Sequence, residues 1–184
     1  MRYVEKLIKE ELNFSDADYR KIKYVGDVIF LEMSKIIILL LFFSIVGKTK
    51  EYIGAIIILL FIRTNSGGLH FRSYFLCTLV SLGVLVLSII ILPACVTIGK
   101  VVEITDMFIC LVISLFISPV RSVYRDEASK EMIKKCHEKV FVYILAFMVV
   151  LYIFPLNSVT EAMFWTVNLQ MIQLIIANML RRHS

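Results

Sequence analysis

The sequence predicts an all-α, polytopic membrane protein with about six transmembrane or re-entrant helices behind an N-terminal amphipathic helix. Three observations carry that expectation. Of the 184 residues, 59% are hydrophobic and only 19% charged, and the mean hydropathy of +0.84 is far above that of a soluble domain of this size. Six apolar segments approach or reach the roughly 17 to 25 residues that cross the hydrocarbon core as a helix. Lys and Arg are shared very unevenly between the stretches that separate them.

In chain order the segments cover about residues 27–46, 52–62, 75–92, 101–118, 140–155 and 162–180. The second is short enough to be tilted, half-length or re-entrant. The last carries Asn168, Gln170, Gln173 and Asn178, amides that are expected to face protein rather than lipid. Ahead of the first segment, Tyr3, Val4, Leu7, Ile8 and Leu12 recur at helical spacing opposite Glu5, Lys6, Lys9 and Glu10. Residues 1–24 therefore read as an amphipathic segment, lying in the membrane interface or packed on the loops. Ser15 followed by Asp18 is a helix-start signal, and nothing at the beginning resembles a cleaved leader. Pro93, Pro119 and Pro155 each fall near the end of an apolar segment, where a helix would stop. No internal repeat divides the chain, so a single membrane domain over residues 1–184 is the simplest organisation.

With six crossings, sixteen Lys and Arg collect on one side and Lys48, Lys50 and Lys100 on the other. Retention of positive charge in the cytoplasm then puts both termini inside. The basic stretch 119–139, with Arg121, Arg125, Lys130, Lys134, Lys135 and Lys139, reads as a cytoplasmic loop that keeps topology, contacts anionic lipid or attracts an acidic partner. The net charge of +5 is thus a topology signal. Nucleic-acid binding is not expected, because no basic surface domain is left over to perform it.

Cys77, Cys95, Cys110 and Cys136 form no Cys-x-x-Cys pair and no regular spacing, which argues against a zinc ribbon, a redox couple or a disulfide framework. Neither a metal nor another cofactor is expected. Cys95 and Cys110 read as small hydrophobes. Cys136 and His137, adjacent on a helix, diverge by about 100° and make a poor pair.

Residues 63–72, Arg-Thr-Asn-Ser-Gly-Gly-Leu-His-Phe-Arg, differ from the rest. A polar, glycine-rich break separates two apolar helices, and Cys77 follows at the head of the next one. Irregular backbone at membrane depth survives only where protein or a wet cavity satisfies it, and Gly67 and Gly68 permit a sharp turn that a substrate chain could approach closely. Cysteine chemistry needs a thiolate, which a neighbouring imidazole can generate. His70 is the histidine nearest in sequence to a thiol in an apolar segment, apart from the Cys136–His137 neighbours. Seven residues of unbroken helix would separate the two by about 10.5 Å along the axis, so the helix must start after His70, or bend.

The pattern Arg63, three residues, Gly67-Gly68, one residue, His70, six residues, Cys77, between the second and third apolar segments, resembles the accessory gene regulator protein B family, AgrB. The resemblance implies an integral-membrane cysteine endopeptidase, with His70 and Cys77 as the catalytic pair and Arg63 and the glycines Gly67 and Gly68 in support. It implies an AgrD-like propeptide as substrate, cut at its C-terminal tail and cyclised to a thiolactone or lactone, and it implies a homodimer, for which the sequence holds no small-xxx-small motif strong enough to prove it. Residues 118–122, Ser-Pro-Val-Arg-Ser, diverge from the family's proline-containing stretch after the fourth segment. An acid to orient His70 is expected on general grounds. Glu32 and Asp27 are the available carboxylates, although Glu32 and Lys35 could instead neutralise each other as an i,i+3 pair. Two other classes remain open. In a transporter or export component, Glu32, Lys35 and the amides of the last segment would line a path; in a noncatalytic scaffold, His70 and Cys77 would both be dispensable.

Overall fold

The computed structural model describes residues 16–67, 73–117, 130–154 and 157–182. Among them the fold is all-helical. In chain order the helices are α1 (Asp16–Ile45), α2 (Thr49–Ser66), α3 (Tyr74–Val86, continued through a π-helical turn at Leu87–Ile91 and a last turn at Leu92–Cys95), α4 (Lys100–Phe116), α5 (Lys130–Ile153) and α6 (Ser158–Arg182). Four stretches, Gly26–Ile45, Tyr74–Cys95, Glu131–Ile153 and Ser158–Leu180, are long and apolar enough to cross a bilayer, which marks the chain as a membrane protein. The other two helices, α2 and α4, are shorter and carry three charged residues each: Lys50, Glu51 and Arg63, and Lys100, Glu103 and Asp106. The amphipathic segment ahead of Asp16 lies outside the described residues.

Several boundaries differ from the expected ones, always because charged or polar turns continue a helix whose apolar centre alone announces it. Helix α1 begins at Asp16, beside the start signal at Ser15 and Asp18. Helix α5 begins at Lys130, so the second half of the basic stretch 119–139 is helix rather than loop. There Glu131 pairs with Lys135 at 3.2 Å and Lys134 with Glu138 at 4.0 Å, i,i+4 partners that support exposed helical turns. Helix α2 is 18 residues long, longer than the apolar segment 52–62 that announces it, and its last turn takes in Arg63 through Ser66. Thr64 Oγ1 donates to the Leu60 carbonyl at 2.7 Å and Asn65 Nδ2 to the Phe61 carbonyl at 3.0 Å, so these polar side chains bond back to the helix instead of unwinding it.

The π-helical turn in α3 has a local cause. Pro93 has no N–H for the helix ladder, and in a regular α-helix its ring would strike the carbonyl four residues earlier. Widening the helix over Leu87–Ile91 takes up that misfit, and the helix ends two residues beyond the proline.

The chain forms two compact units, residues 1–42 and 43–184. In the second, α2 packs most extensively on α6, α4 packs on α5, and α5 also meets α2. The core is built from Ile58, Ile62, Met107, Ile144, Phe147 and Phe164, among others. Gly54 permits the close approach of α2 and α6: a Cβ there would stand 2.6 Å from Val159 Cγ1 and 3.3 Å from Met163 Cγ. Three side chains tie the ends. Asn157 Oδ1 accepts from the Val159 and Thr160 amides at 3.0 Å each, while Thr160 Oγ1 accepts from the Asn157 amide at 2.9 Å, a reciprocal cap at the start of α6. Lys100 Nζ donates to the Leu151 carbonyl and, at 2.8 Å, to the Phe154 carbonyl, closing the C-terminus of α5 with a cation where the helix dipole favours one.

Candidate active site

Helix α2 ends at a glycine because its last residue must leave the right-handed region. Gly67 has φ +73° and ψ −158°, a conformation that a side chain would strain. Its amide still donates to the Arg63 carbonyl at 2.9 Å, so Arg63 occupies the last full turn of α2. Six residues later Ser73 is extended, at φ −92° and ψ 126°, and α3 starts at Tyr74. Cys77 lies in the first turn of α3, with its amide donating to the Ser73 carbonyl at 3.0 Å. The helix that carries the thiol therefore starts after position 70. His70 and Gly68 themselves lie outside the described residues.

Arg63 and Cys77 line one narrow crevice, with Leu59, Val80, Ser81 and Val84 as walls and Gln170 and Gln173 entering from α6. Its free space is about 10 Å³, on the order of a single water molecule. Arg63 and Cys77 are both half-buried, whereas Gln170 is buried to 1% exposure. The Gln170 amide nitrogen donates to the Gly67 carbonyl at 3.0 Å, across 103 residues of sequence, and Ser66 Oγ donates to the same oxygen at 3.2 Å. The glycine turn is thus held in place by α6. The sequence marked Gln170 and Gln173 as amides that face protein, but not as neighbours of Cys77; the signal was the presence of uncharged polar groups in an otherwise apolar span.

The other thiols stand apart from this crevice, and all four cysteines are free. Cys95 is exposed at the far end of α3. Cys110 is buried in the core, 3.6 Å from Asn168 Oδ1. Cys136 and His137 follow one another on α5, where the His137 ring, through Nδ1, meets the Ser114 carbonyl of α4 at 3.3 Å. A carbonyl can only accept, so that nitrogen carries the proton. His137 lines a separate groove with Leu115, Ile133 and Lys134. Of the two carboxylates considered for orienting a histidine, Glu32 is paired with Lys35 at 2.5 Å within α1, the self-neutralising alternative, and Asp27 is exposed on the same helix. Both belong to the first compact unit, and Arg63, Gly67 and Cys77 to the second. Among the described residues no three His, Cys, Asp or Glu side chains converge as metal ligands.

No curated protein and no solved structure matches the chain. The family model for accessory gene regulator B matches residues 1–174, nearly the whole length and the stretch that holds the Gly67 turn, Cys77 and Gln170. The chain belongs to the accessory gene regulator B family, AgrB.

Proposed function

We propose that this protein is a membrane cysteine endopeptidase that removes the C-terminal tail of an AgrD-like quorum-sensing propeptide and closes the remaining peptide into a ring. Membership of the family fits an accessory gene regulator role. The observation that carries the finer reading is the crevice at the α2–α3 turn, which Cys77 and Arg63 both line, in a chain whose sequence puts His70 in the same turn.

In this mechanism His70 takes the proton from the Cys77 thiol, and the thiolate attacks the carbonyl that joins the future ring to the tail. Arg63 lines the same crevice as the sulfur, and its guanidinium stabilises the oxyanion that forms. As the intermediate collapses, the C–N bond breaks, the imidazolium returns its proton to the departing amine, and the tail leaves, so that the acyl group remains on Cys77 as a thioester. A cysteine or serine within the bound peptide then attacks that thioester. Its proton passes to the Cys77 sulfur by way of His70, and the thiolactone or lactone is released.

Exchange between thioesters is nearly balanced in energy, whereas hydrolysis runs downhill, so the acyl-enzyme must be kept from water. A crevice with room for about one water molecule supports that requirement. The leader and the acidic tail of the propeptide would meet the cytoplasmic face, where the positive charge of the 119–139 stretch favours an anionic peptide.

The test is coexpression with an AgrD-type propeptide and mass spectrometry of the products. The unaltered protein releases the tail and forms the ring, with a peptide adduct trapped on Cys77. Cys77→Ala and His70→Ala each abolish cleavage. Normal processing by either variant removes that residue from the mechanism.

A further inference from the structure

We propose that Gln170 is a substrate-holding residue of the crevice, its side-chain oxygen accepting a backbone N–H from the peptide being processed. The inference deepens the peptidase reading and rests on it for the identity of the peptide.

The two ends of the Gln170 amide are in unlike situations. Nε2 is committed to the Gly67 carbonyl at 3.0 Å, and the assignment of nitrogen and oxygen is forced, because the flipped amide would set two acceptors against each other. Oε1 is buried and has no hydrogen-bond partner among the described residues, in a side chain that is only 1% exposed. Buried acceptors are nearly always satisfied, and an exception calls for a physical explanation. Here the unsatisfied atom belongs to a side chain that lines the crevice holding Cys77 and Arg63.

The chemistry of the crevice narrows what could satisfy it. The missing group must be a donor, since Oε1 can only accept. It should be uncharged, because Arg63 already brings a permanent cation to the same small space. The Gly67 carbonyl is not open to it either, since that oxygen already accepts from Gln170 and Ser66. A neutral N–H donor that can reach a narrow slot beside a nucleophilic sulfur is the backbone amide of a peptide in extended form. One contact from Gln170 would thus fix the register of the peptide relative to Cys77 while the other end of the same side chain holds the glycine turn, so that turn and substrate are located by a single rigid group.

The closing experiment measures binding by the full-length, detergent-solubilised protein carrying Cys77→Ala. The probe is a synthetic, fluorescently labelled AgrD-type propeptide. Its analogues have one backbone N–H at a time, on either side of the cleaved bond, replaced by an ester oxygen. One analogue is expected to bind about tenfold more weakly than the parent, the scale of losing one hydrogen bond to a buried acceptor. Adding Gln170→Leu should bring parent and analogue to equal affinity, as a double-mutant cycle requires of a direct contact; Gln170→Met, which keeps the length, serves if the leucine variant does not fold. The inference is overturned if the peptide does not bind, if no ester position weakens binding, or if the weakening persists undiminished without Gln170. Cleavage by the unaltered protein is scored separately. Cleavage with no ester penalty leaves the peptidase and removes Gln170 from it, whereas an ester penalty that depends on Gln170, without cleavage, sinks the peptidase and keeps the peptide contact.

Discussion

Two glycines end helices in this protein with nearly the same φ, +74° at Gly47 and +73° at Gly67, and the two turns are satisfied in opposite ways. The turn after α1 closes its backbone locally, although Glu51 also meets Ser158 of α6. Gly47 and Lys48 donate to the carbonyls of Ser44 and Phe43 at 3.1 and 2.8 Å, a local closure of the helix end. Lys48 pairs with Glu51 at 3.2 Å, and Phe43 stacks on Tyr52 with 5.2 Å between ring centroids. Apart from Ser158, every one of these partners lies within ten residues of chain. The turn after α2 draws on α6 instead, through Gln170, and opens onto a crevice with Cys77 and Arg63. A turn that only reverses the chain can be built from its neighbours. The carbonyl at the turn after α2 takes a partner from elsewhere in the fold.

The largest expected effect separates the thiols. Cys77→Ala should lower cleavage of an AgrD-type propeptide by about 10⁴-fold or more, the scale of removing a nucleophile, while Cys95→Ala leaves it unchanged by mass spectrometry. Loss of activity in the Cys95 variant instead would move the chemistry to the other end of α3.

Gly47→Ala and Gly67→Ala test the two turns directly. Each places a Cβ in the left-handed region and should cost about 1–2 kcal/mol of stability, read as a shift in thermal unfolding. Only the second should reduce processing, by about 10²-fold, because misplacement by an ångström is enough to do so at a reacting centre. Equal effects on processing would show that the turns are not functionally distinct.

Thiol labelling sharpens the contrast without any substrate. On exposure alone Cys95 should react faster than half-buried Cys77. An imidazole that generates the thiolate reverses that order, and His70→Ala should slow Cys77 by about tenfold or more while leaving Cys95 unaffected. An unchanged rate at Cys77 would remove the imidazole from its activation.

At the packing level, Gly54→Ala should destabilise the α2–α6 contact by about 1–3 kcal/mol, because its Cβ would overlap Val159. The smallest effect expected is from Asn157→Ala, about 1 kcal/mol from the lost cap of α6, with processing intact. Both are read from unfolding midpoints in the same detergent.

The apolar runs make the helices legible without coordinates, because a hydrocarbon solvent demands long uninterrupted segments whose backbone satisfies itself. They locate helix centres rather than ends. The polarity of Lys130 to Lys139 and of Arg63 to Ser66 suggests loop, yet both stretches are helical, because i,i+4 ion pairs and bonds back to the helix carbonyls keep polar turns wound. The proposed site residues are legible from spacing: a glycine pair between two apolar segments, with an arginine before it and a histidine and cysteine after it, is a local pattern.

What the sequence alone determined is therefore the solvent of this protein, its helical class, the family to which it belongs and the turn where the proposed site residues fall, since each follows from composition or from residues close together in the chain. Only the tertiary structure decided that Gln170 reaches the Gly67 carbonyl and that Arg63 and Cys77 share a crevice with it. The reason is physical: a hydrogen bond is set by a distance of about 3 Å and a direction, and when its partners lie on different helices the packing of those helices, not the order of residues, brings them together.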